Sequence, residues 1–257
     1  MTHASTLARS PAAASAERAV NMETMGDRRW SALYRVAGGA ALLTALLIPL
    51  QVVAFVVWPP PTGGVTDWFE LFQQSPLIGL VSFDLAILIE EALLIPVIGA
   101  LYVLLHRRSE SLMVIATGFW LVSVALFIGS NTGFEMLALA GRYAEATSDL
   151  QRAMFAAAGQ TMLSSYMEQG SSFVVGYSFA SIAGILVGIA MLRATVFPRV
   201  AGWAAIVANV LGFALFIPGI GVAMSIGSVV ILLVWYALIG WRMVTFRSGR
   251  SELAAGA

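Results

Sequence analysis

The chain has 257 residues, of which 59% are hydrophobic and 11% charged, and its formal net charge is zero. A soluble globular domain would carry about 25% charged residues, so the composition argues against a soluble protein, and the balanced charge gives no electrostatic basis for a nucleic-acid partner. The sequence contains no Cys and only two His residues, which excludes disulfides and thiolate ligands, and we expect no metal site and no cofactor.

The apolar residues lie in runs of about 17 residues or more, long enough to cross a ~30 Å hydrocarbon core as helices. A backbone exposed to lipid must satisfy its own hydrogen bonds, which leaves helices or a closed barrel. Barrel strands would alternate in polarity, and these runs do not. The sequence therefore predicts an all-α fold, a six-helix transmembrane bundle over residues 30–245, with the lipid bilayer as its first partner.

The amino-terminal part is predicted to contain a tail, a span and an interfacial segment. Residues 1–29 are rich in Ala, Ser and Arg without an apolar period, which predicts a disordered cytoplasmic tail. The first span is predicted over 36–58, where three successive prolines end the helix. A short amphipathic segment follows, and its aromatic side chains are expected at the membrane–water interface: Trp68, Phe69 and Phe72.

The second apolar stretch, over 77–105, is longer than the hydrocarbon core requires. As one helix it would be ~43 Å long, so it would either tilt or place its first turns in the outer headgroup layer. It contains three carboxylates, Asp84, Glu90 and Glu91. The third span is predicted over 112–128.

Residues 131–170 form the longest polar connection and are predicted to be a partly helical outer segment. Ser148 and Gln151 have the spacing of a capping box, which predicts a helix that begins at Asp149. Three further spans are predicted over 173–192, 200–217 and 222–239. Residues 246–257 form a short polar tail, predicted to be cytoplasmic.

The arginines are distributed unevenly between the two sides of this bundle. Twelve of the 14 fall on one side, and only Arg142 and Arg152 fall on the other. The positive-inside rule then places both termini in the cytoplasm. We expect the plasma (inner) membrane of a bacterium.

The carboxylates of the second stretch are the strongest candidate site. Asp84 and Glu91 are seven residues apart and would share a helix face, with Glu90 about 100° away from Glu91. Ionisable residues at this depth are costly and usually face a cavity or a partner. They could form a proton or cation site or anchor a cationic ligand. Alternatively, Arg142 or Arg152 could pair with them, or neutral carboxyls could donate hydrogen bonds.

Polar residues of the outer connection could extend this site into an outward-facing pocket. The alternative is that they are polar because they meet water. The residues concerned are Asn131, Glu135, Tyr143, Gln160, Tyr166 and Glu168.

Small residues recur every four positions along two of the spans, a spacing that lets helices approach closely. We interpret them as intramolecular packing positions, and a homo-oligomer interface is the alternative. They are Gly176, Ala180, Gly184 and Gly188 in the fourth span, and Ala204, Ala208 and Gly212 in the fifth.

The order of segments over about residues 30–245 resembles a group of bacterial membrane proteins, domain-of-unknown-function family 4386. The resemblance implies six helices and supplies no activity. The segments that carry it are Tyr34-Arg35-Val36-Ala37-Gly38, Phe134-Glu135-Met136-Leu137, Arg142-Tyr143-Ala144, Ala156-Ala157-Ala158-Gly159-Gln160, Leu192-Arg193 and Val196-Phe197-Pro198-Arg199-Val200-Ala201-Gly202-Trp203.

The sequence favours a non-enzymatic membrane protein, either a small-molecule binding or transport component or an accessory subunit. Its partner would then be a small-molecule or cation ligand. The alternative is an intramembrane enzyme that uses Asp84 and Glu91 as acid and base.

Overall fold

The computed structural model of the protein describes residues 29–167 and 170–245. The predicted tails, apart from Arg29, lie outside the described residues, as does the candidate site residue Glu168. Within the described ranges the chain forms ten α-helices, and α9 continues into a 3-10 turn over Ala214–Phe216. They are α1 (Ser31–Val57), α2 (Val65–Gln74), α3 (Pro76–Ser82), α4 (Leu85–Leu105), α5 (Glu110–Ser130), α6 (Gly133–Glu145), α7 (Asp149–Met167), α8 (Ser171–Arg193), α9 (Arg199–Phe213) and α10 (Gly221–Val244).

Six of these helices are long and apolar enough to cross a membrane, which confirms the predicted number of spans. They are α1, α4, α5, α8, α9 and α10, and each packs against the next in chain order, while α10 packs against α1 and closes a ring. Helices are ~10 Å in diameter, so six of them in a ring do not all meet at its axis. The space at the axis is therefore available for a cavity.

The outer faces of all six spans carry exposed aliphatic side chains. A soluble protein would bury most of them, because each exposed aliphatic side chain forgoes about 1.5–3 kcal/mol of burial free energy. In a bilayer the same side chains contact acyl chains. One example from each span in turn is Leu46, Ile95, Ile115, Val175, Val207 and Ile226.

Small residues bring neighbouring spans into close contact, as predicted. A Cβ atom built on Gly188 of α8 would lie 2.8 Å from the carbonyl oxygen of Gly202 in α9. A Cβ on Gly184 would overlap the side chain of Asn209, also in α9. The small-residue face of α8 is thus used within the chain.

The four remaining helices cover one end of the bundle, and we call α2, α3, α6 and α7 the cap. Its core buries Trp68, Phe69 and Phe72 of α2, each at most 1% exposed, against α6 and α7. The aromatic side chains of α2, which were expected at the membrane–water interface, are therefore covered by the protein itself. They form the hydrophobic core of a small folded layer, while the polar residues of α2 face outward.

The second apolar stretch is two helices and not one. α3 ends at Ser82 and α4 begins at Leu85, and Asp84 between them has a left-handed backbone with φ of 61°. Asp is among the few non-glycine residues that tolerate this conformation. The break removes the predicted excess length, since α4 alone spans ~31 Å. It also separates Asp84 from the helix face that carries Glu91.

Candidate functional site

A cavity of about 230 Å³ lies at the axis of the ring, and we call it the central cavity. Every span contributes residues to its wall, so the lining residues come from positions far apart in the sequence. The lining residues include Ile48 of α1, Leu94 of α4, Trp120 of α5, Ser181 of α8, Asn209 of α9 and Ser228 of α10. The cavity therefore depends on the packing of all six spans and not on the contact of one helix pair.

Glu90 and Glu91 of α4 both line the central cavity. They lie about 8–9 Å along α4 from its first residue, within the hydrocarbon depth of the span. One carboxylate oxygen of each, Oε1 of Glu90 and Oε2 of Glu91, is buried and has no hydrogen-bond partner among the described residues. The ~100° between neighbouring helix positions does not separate them, because the cavity is wide enough for both side chains to reach it.

Aromatic side chains form another part of the wall. Trp235 and Tyr236 of α10 contact each other edge to face at a centroid distance of 5.0 Å, and Trp120 lies 6.2 Å from Trp235. Trp235 is 2% exposed, and its Nε1–H has no acceptor among the described residues. A buried indole N–H normally finds an acceptor. Residues that line the cavity thus carry an unmatched donor as well as unmatched acceptors.

A second cavity of about 350 Å³ lies between the bundle and the cap, and we call it the outer cavity. Its polar wall includes Asp84, Asn131, Ser165 and Ser171. Asp84 is held there by hydrogen bonds that include two from other elements. Its Oδ1 accepts from Gln51 Nε2 at 3.0 Å, and its carbonyl oxygen accepts from Asn131 Nδ2 at 3.4 Å.

Aromatic rings separate the two cavities, and we call Phe127, Phe173 and Tyr177 the partition. Phe127 lines both cavities, Phe173 lines the outer one and Tyr177 the central one. The ring of Phe173 lies 5.7 Å from each of the other two. A rotation of one ring could connect the cavities, because no backbone atom needs to move for a side chain to change rotamer.

Three charged outer residues that the sequence suggested as site or pairing residues lie away from both cavities. Glu135 and Arg142 are exposed on α6 and line neither cavity. Arg152 is 3.8 Å from Asp149 and donates to the carbonyl oxygen of Ala146 at 3.3 Å. Within residues 29–167 and 170–245, neither arginine pairs with Glu90 or Glu91.

Other polar residues of the outer connection stabilise the cap. Gln160 Oε1 accepts from the backbone N–H of Val65 at 3.3 Å, and Tyr143 packs on Phe69. α7 begins at Asp149 as predicted, and Ser148 Oγ accepts from the N–H of Gln151 at 3.3 Å. Asn131 is the residue of this predicted set that the structure places beside a second-stretch carboxylate.

The acid–base pair suggested by the sequence is divided between the cavities. Asp84 lines the outer cavity and Glu91 the central one. The pair that shares a wall is Glu90 with Glu91. A single substrate in either cavity would therefore not meet Asp84 and Glu91 together.

Sequence reasoning missed the residues that face these glutamates. Trp235 and Tyr236 lie past the middle of a long apolar helix, whereas Trp and Tyr in spans are enriched at the interfaces. Their position near the middle of the span was the feature of the sequence that could have identified them as site residues. Asn209 was a second signal, as an amide within the fifth apolar stretch.

Comparison of the chain with protein-family profiles, with curated proteins and with solved structures finds no match. No activity is therefore transferred from a relative. The functional conclusion depends on the two cavities and on the groups that line them.

Proposed function

We propose that the protein is a membrane-embedded binding or transport component whose small-molecule ligand occupies the central cavity. The observation that carries this proposal is a pair of glutamates that line a cavity shared by all six spans, each with a buried carboxylate oxygen that has no partner among the described residues. A purely structural role would provide each oxygen with a donor, because an unsatisfied buried polar group costs about 1–3 kcal/mol. A ligand that donates hydrogen bonds to these oxygens explains why the two carboxylates are present.

The outer cavity offers the entry route in this proposal. It lies directly beyond the partition and is lined by hydroxyl, amide and carboxylate groups that hydrate readily. A ligand that enters between the cap and the spans would pass the partition to reach Glu90 and Glu91. The cap would then act as a vestibule on one side of the membrane.

The first test is whether the central cavity admits a solute from water. The chain contains no Cys, so one introduced thiol reports on one position. Ser228 is 6% exposed and lines the central cavity, whereas Ser123 in α5 is 1% exposed and does not line it. We expect Ser228→Cys to react with a small methanethiosulfonate reagent at least about tenfold faster than Ser123→Cys, since such reagents attack hydrated thiolates. Equal, slow reaction of both would contradict the proposal.

We further propose that the bundle lies in the plasma membrane with both termini in the cytoplasm, so that the cap faces outward. The support is that the described arginines outside the cap lie at the opposite end of the bundle. They are Arg29 and Arg35 at the start of α1, Arg107 and Arg108 between α4 and α5, Arg193 and Arg199 where α8 ends and α9 begins, and Arg242 near the end of α10. Arg242 at that end donates to the carbonyl oxygen of Val196 in the α8–α9 connection at 2.9 Å.

Topology can be measured with an impermeant thiol reagent on intact cells. Thr62 and Glu145 are exposed near the cap, and Glu110 is exposed at the arginine-rich end. Single Cys residues at Thr62 and Glu145 should be labelled from outside, and one at Glu110 only after the cells are opened. If Glu110→Cys were labelled from outside and the other two only after the cells are opened, the orientation would be the opposite one. The six-span fold would be unchanged.

A further inference from the structure

We propose that the ligand of the central cavity is a small organic cation with an apolar, aromatic-compatible body and one hydrogen-bond acceptor. This inference rests on the proposed binding function and specifies its ligand class. It follows from the charge, the wall chemistry and the volume of the cavity.

Charge is the first argument. The described lining residues include two glutamates and no Arg, Lys or His. A buried carboxylate without a cationic partner is strongly unfavourable unless it is neutralised or paired. A ligand cation between Glu90 and Glu91 supplies the pairing that the described residues do not.

The wall chemistry distinguishes an organic cation from a metal ion. Ca²⁺ takes 6–8 oxygen ligands and Mg²⁺ requires an octahedral set. Across the part of the chain that the structure describes, no three His, Asp or Glu side chains group as a metal site needs. The wall instead offers aromatic faces from Trp120, Tyr177, Trp235 and Tyr236. Aromatic faces attract organic ammonium groups through cation–π interactions.

The unmatched indole N–H of Trp235 adds a second feature of the ligand. Trp235 is 98% buried, lines the cavity and has no acceptor for Nε1–H in the described chain. A cation alone would leave this donor unsatisfied. A hydroxyl, ether or carbonyl oxygen on the ligand would accept from it.

The volume limits the size of the ligand. A cavity of about 230 Å³ has room for roughly eight molecules the size of water at ~30 Å³ each. A compact ligand of about ten non-hydrogen atoms fits that space. A cation several times larger would have to displace the spans.

A set of matched probes tests the proposal on the purified full chain in detergent. 2-Amino-1-phenylethanol has the predicted cation, ring and hydroxyl group. 1-Phenyl-1,2-ethanediol replaces the ammonium by a hydroxyl, mandelate replaces the aminomethyl group by a carboxylate, and tetraphenylphosphonium is an oversized cation. We expect the amine to raise the melting temperature in a concentration-dependent manner and the other three to leave it unchanged, because only a ligand that binds the folded state stabilises it.

Two variants and one control locate the binding. Glu91→Gln keeps the shape of the side chain and removes its charge, and should weaken binding of the amine at least about tenfold. Glu135→Gln makes the same change on the exposed face of α6 and should bind the amine as the unsubstituted protein does. Trp235→Phe keeps a ring and removes the N–H donor, and should reduce the preference for the amine with a hydroxyl over 2-phenylethylamine.

The outcomes separate this inference from the proposed function. Equal stabilisation by the amine and the diol, or unchanged amine binding by Glu91→Gln, would overturn the cationic class. No stabilisation by the amine, together with fast labelling of Ser228→Cys, would also overturn it while the binding cavity stands. If Glu91→Gln fails to fold, Glu90→Gln gives the same test from the neighbouring carboxylate.

Discussion

Gly38→Ala should destabilise the protein by about 1–3 kcal/mol and lower its melting temperature in detergent by several degrees, whereas Gly39→Ala should not. A Cβ on Gly38 would lie 2.8 Å from the carbonyl oxygen of Gly240 and 2.9 Å from the backbone nitrogen of Val244, both in α10. Backbone atoms cannot rotate away as a side chain can. The two helices that close the ring must therefore separate.

Gly39 is a closely matched control, because it is the next residue of the same helix and a Cβ there meets nothing within 4 Å. Ala is favoured over Gly within a helix by about 0.5–1 kcal/mol, so Gly39→Ala should be neutral or slightly stabilising. Thermal unfolding of both variants in one detergent makes the comparison. Equal melting temperatures would show that α1 and α10 are not in contact in the folded protein.

The number of spans was predictable from the sequence because it depends on local properties. A run of apolar residues long enough to cross the hydrocarbon core must form a helix wherever the rest of the chain lies. The close packing of α8 on α9 followed from the same kind of pattern, since Gly184 and Gly188 share one face. The contact between Gly38 and Gly240 joins the two ends of the chain, and no periodic pattern marks it.

The helices of the outer connection were predicted, but what covers the aromatic face of α2 was not, because amphipathicity does not identify what covers an apolar face. Trp68 and Phe69 could rest on lipid headgroups or on protein. Gly159 of α7 shows that protein covers Phe69, since a Cβ on Gly159 would lie 2.6 Å from the ring of Phe69. That contact crosses about ninety residues of sequence. The break at Asp84 was missed for a related reason, because its left-handed backbone is held by Gln51 and Asn131 from other elements.

The candidate site was predictable in part. Glu90 and Glu91 are visible in the sequence as ionisable residues within an apolar stretch, where a polar group must have a purpose. The residues that Glu90 and Glu91 face could not be identified from the sequence. The expected arginine partners lie at the cap, and Trp235 and Tyr236 reach the cavity from the last span. Such neighbours are determined by the order in which helices close the ring.

Glu91→Met should raise the melting temperature of the ligand-free protein, an unusual result for a substitution inside a packed bundle. Met has nearly the length and volume of Glu without its polar atoms, so the wall of the cavity would be kept. Oε2 of Glu91 is buried without a hydrogen-bond partner in the described chain. Its removal should recover about 1–3 kcal/mol of desolvation free energy. The same variant should lose stabilisation by 2-amino-1-phenylethanol.

The two interpretations of Glu91 predict opposite signs for this measurement. If the carboxylate were one half of a buried ion pair with Arg142 or Arg152, its loss would leave a buried guanidinium without a partner and cost about 3–5 kcal/mol. The structure places both arginines at the cap, so we expect a gain instead. Glu135→Met, on the exposed face of α6, should change stability by no more than about 0.5 kcal/mol. A lower melting temperature for Glu91→Met alone would establish a structural role for the carboxylate. A higher one would show that Glu91 lowers the stability of the folded protein. Such a loss of stability is common where function requires buried polar groups.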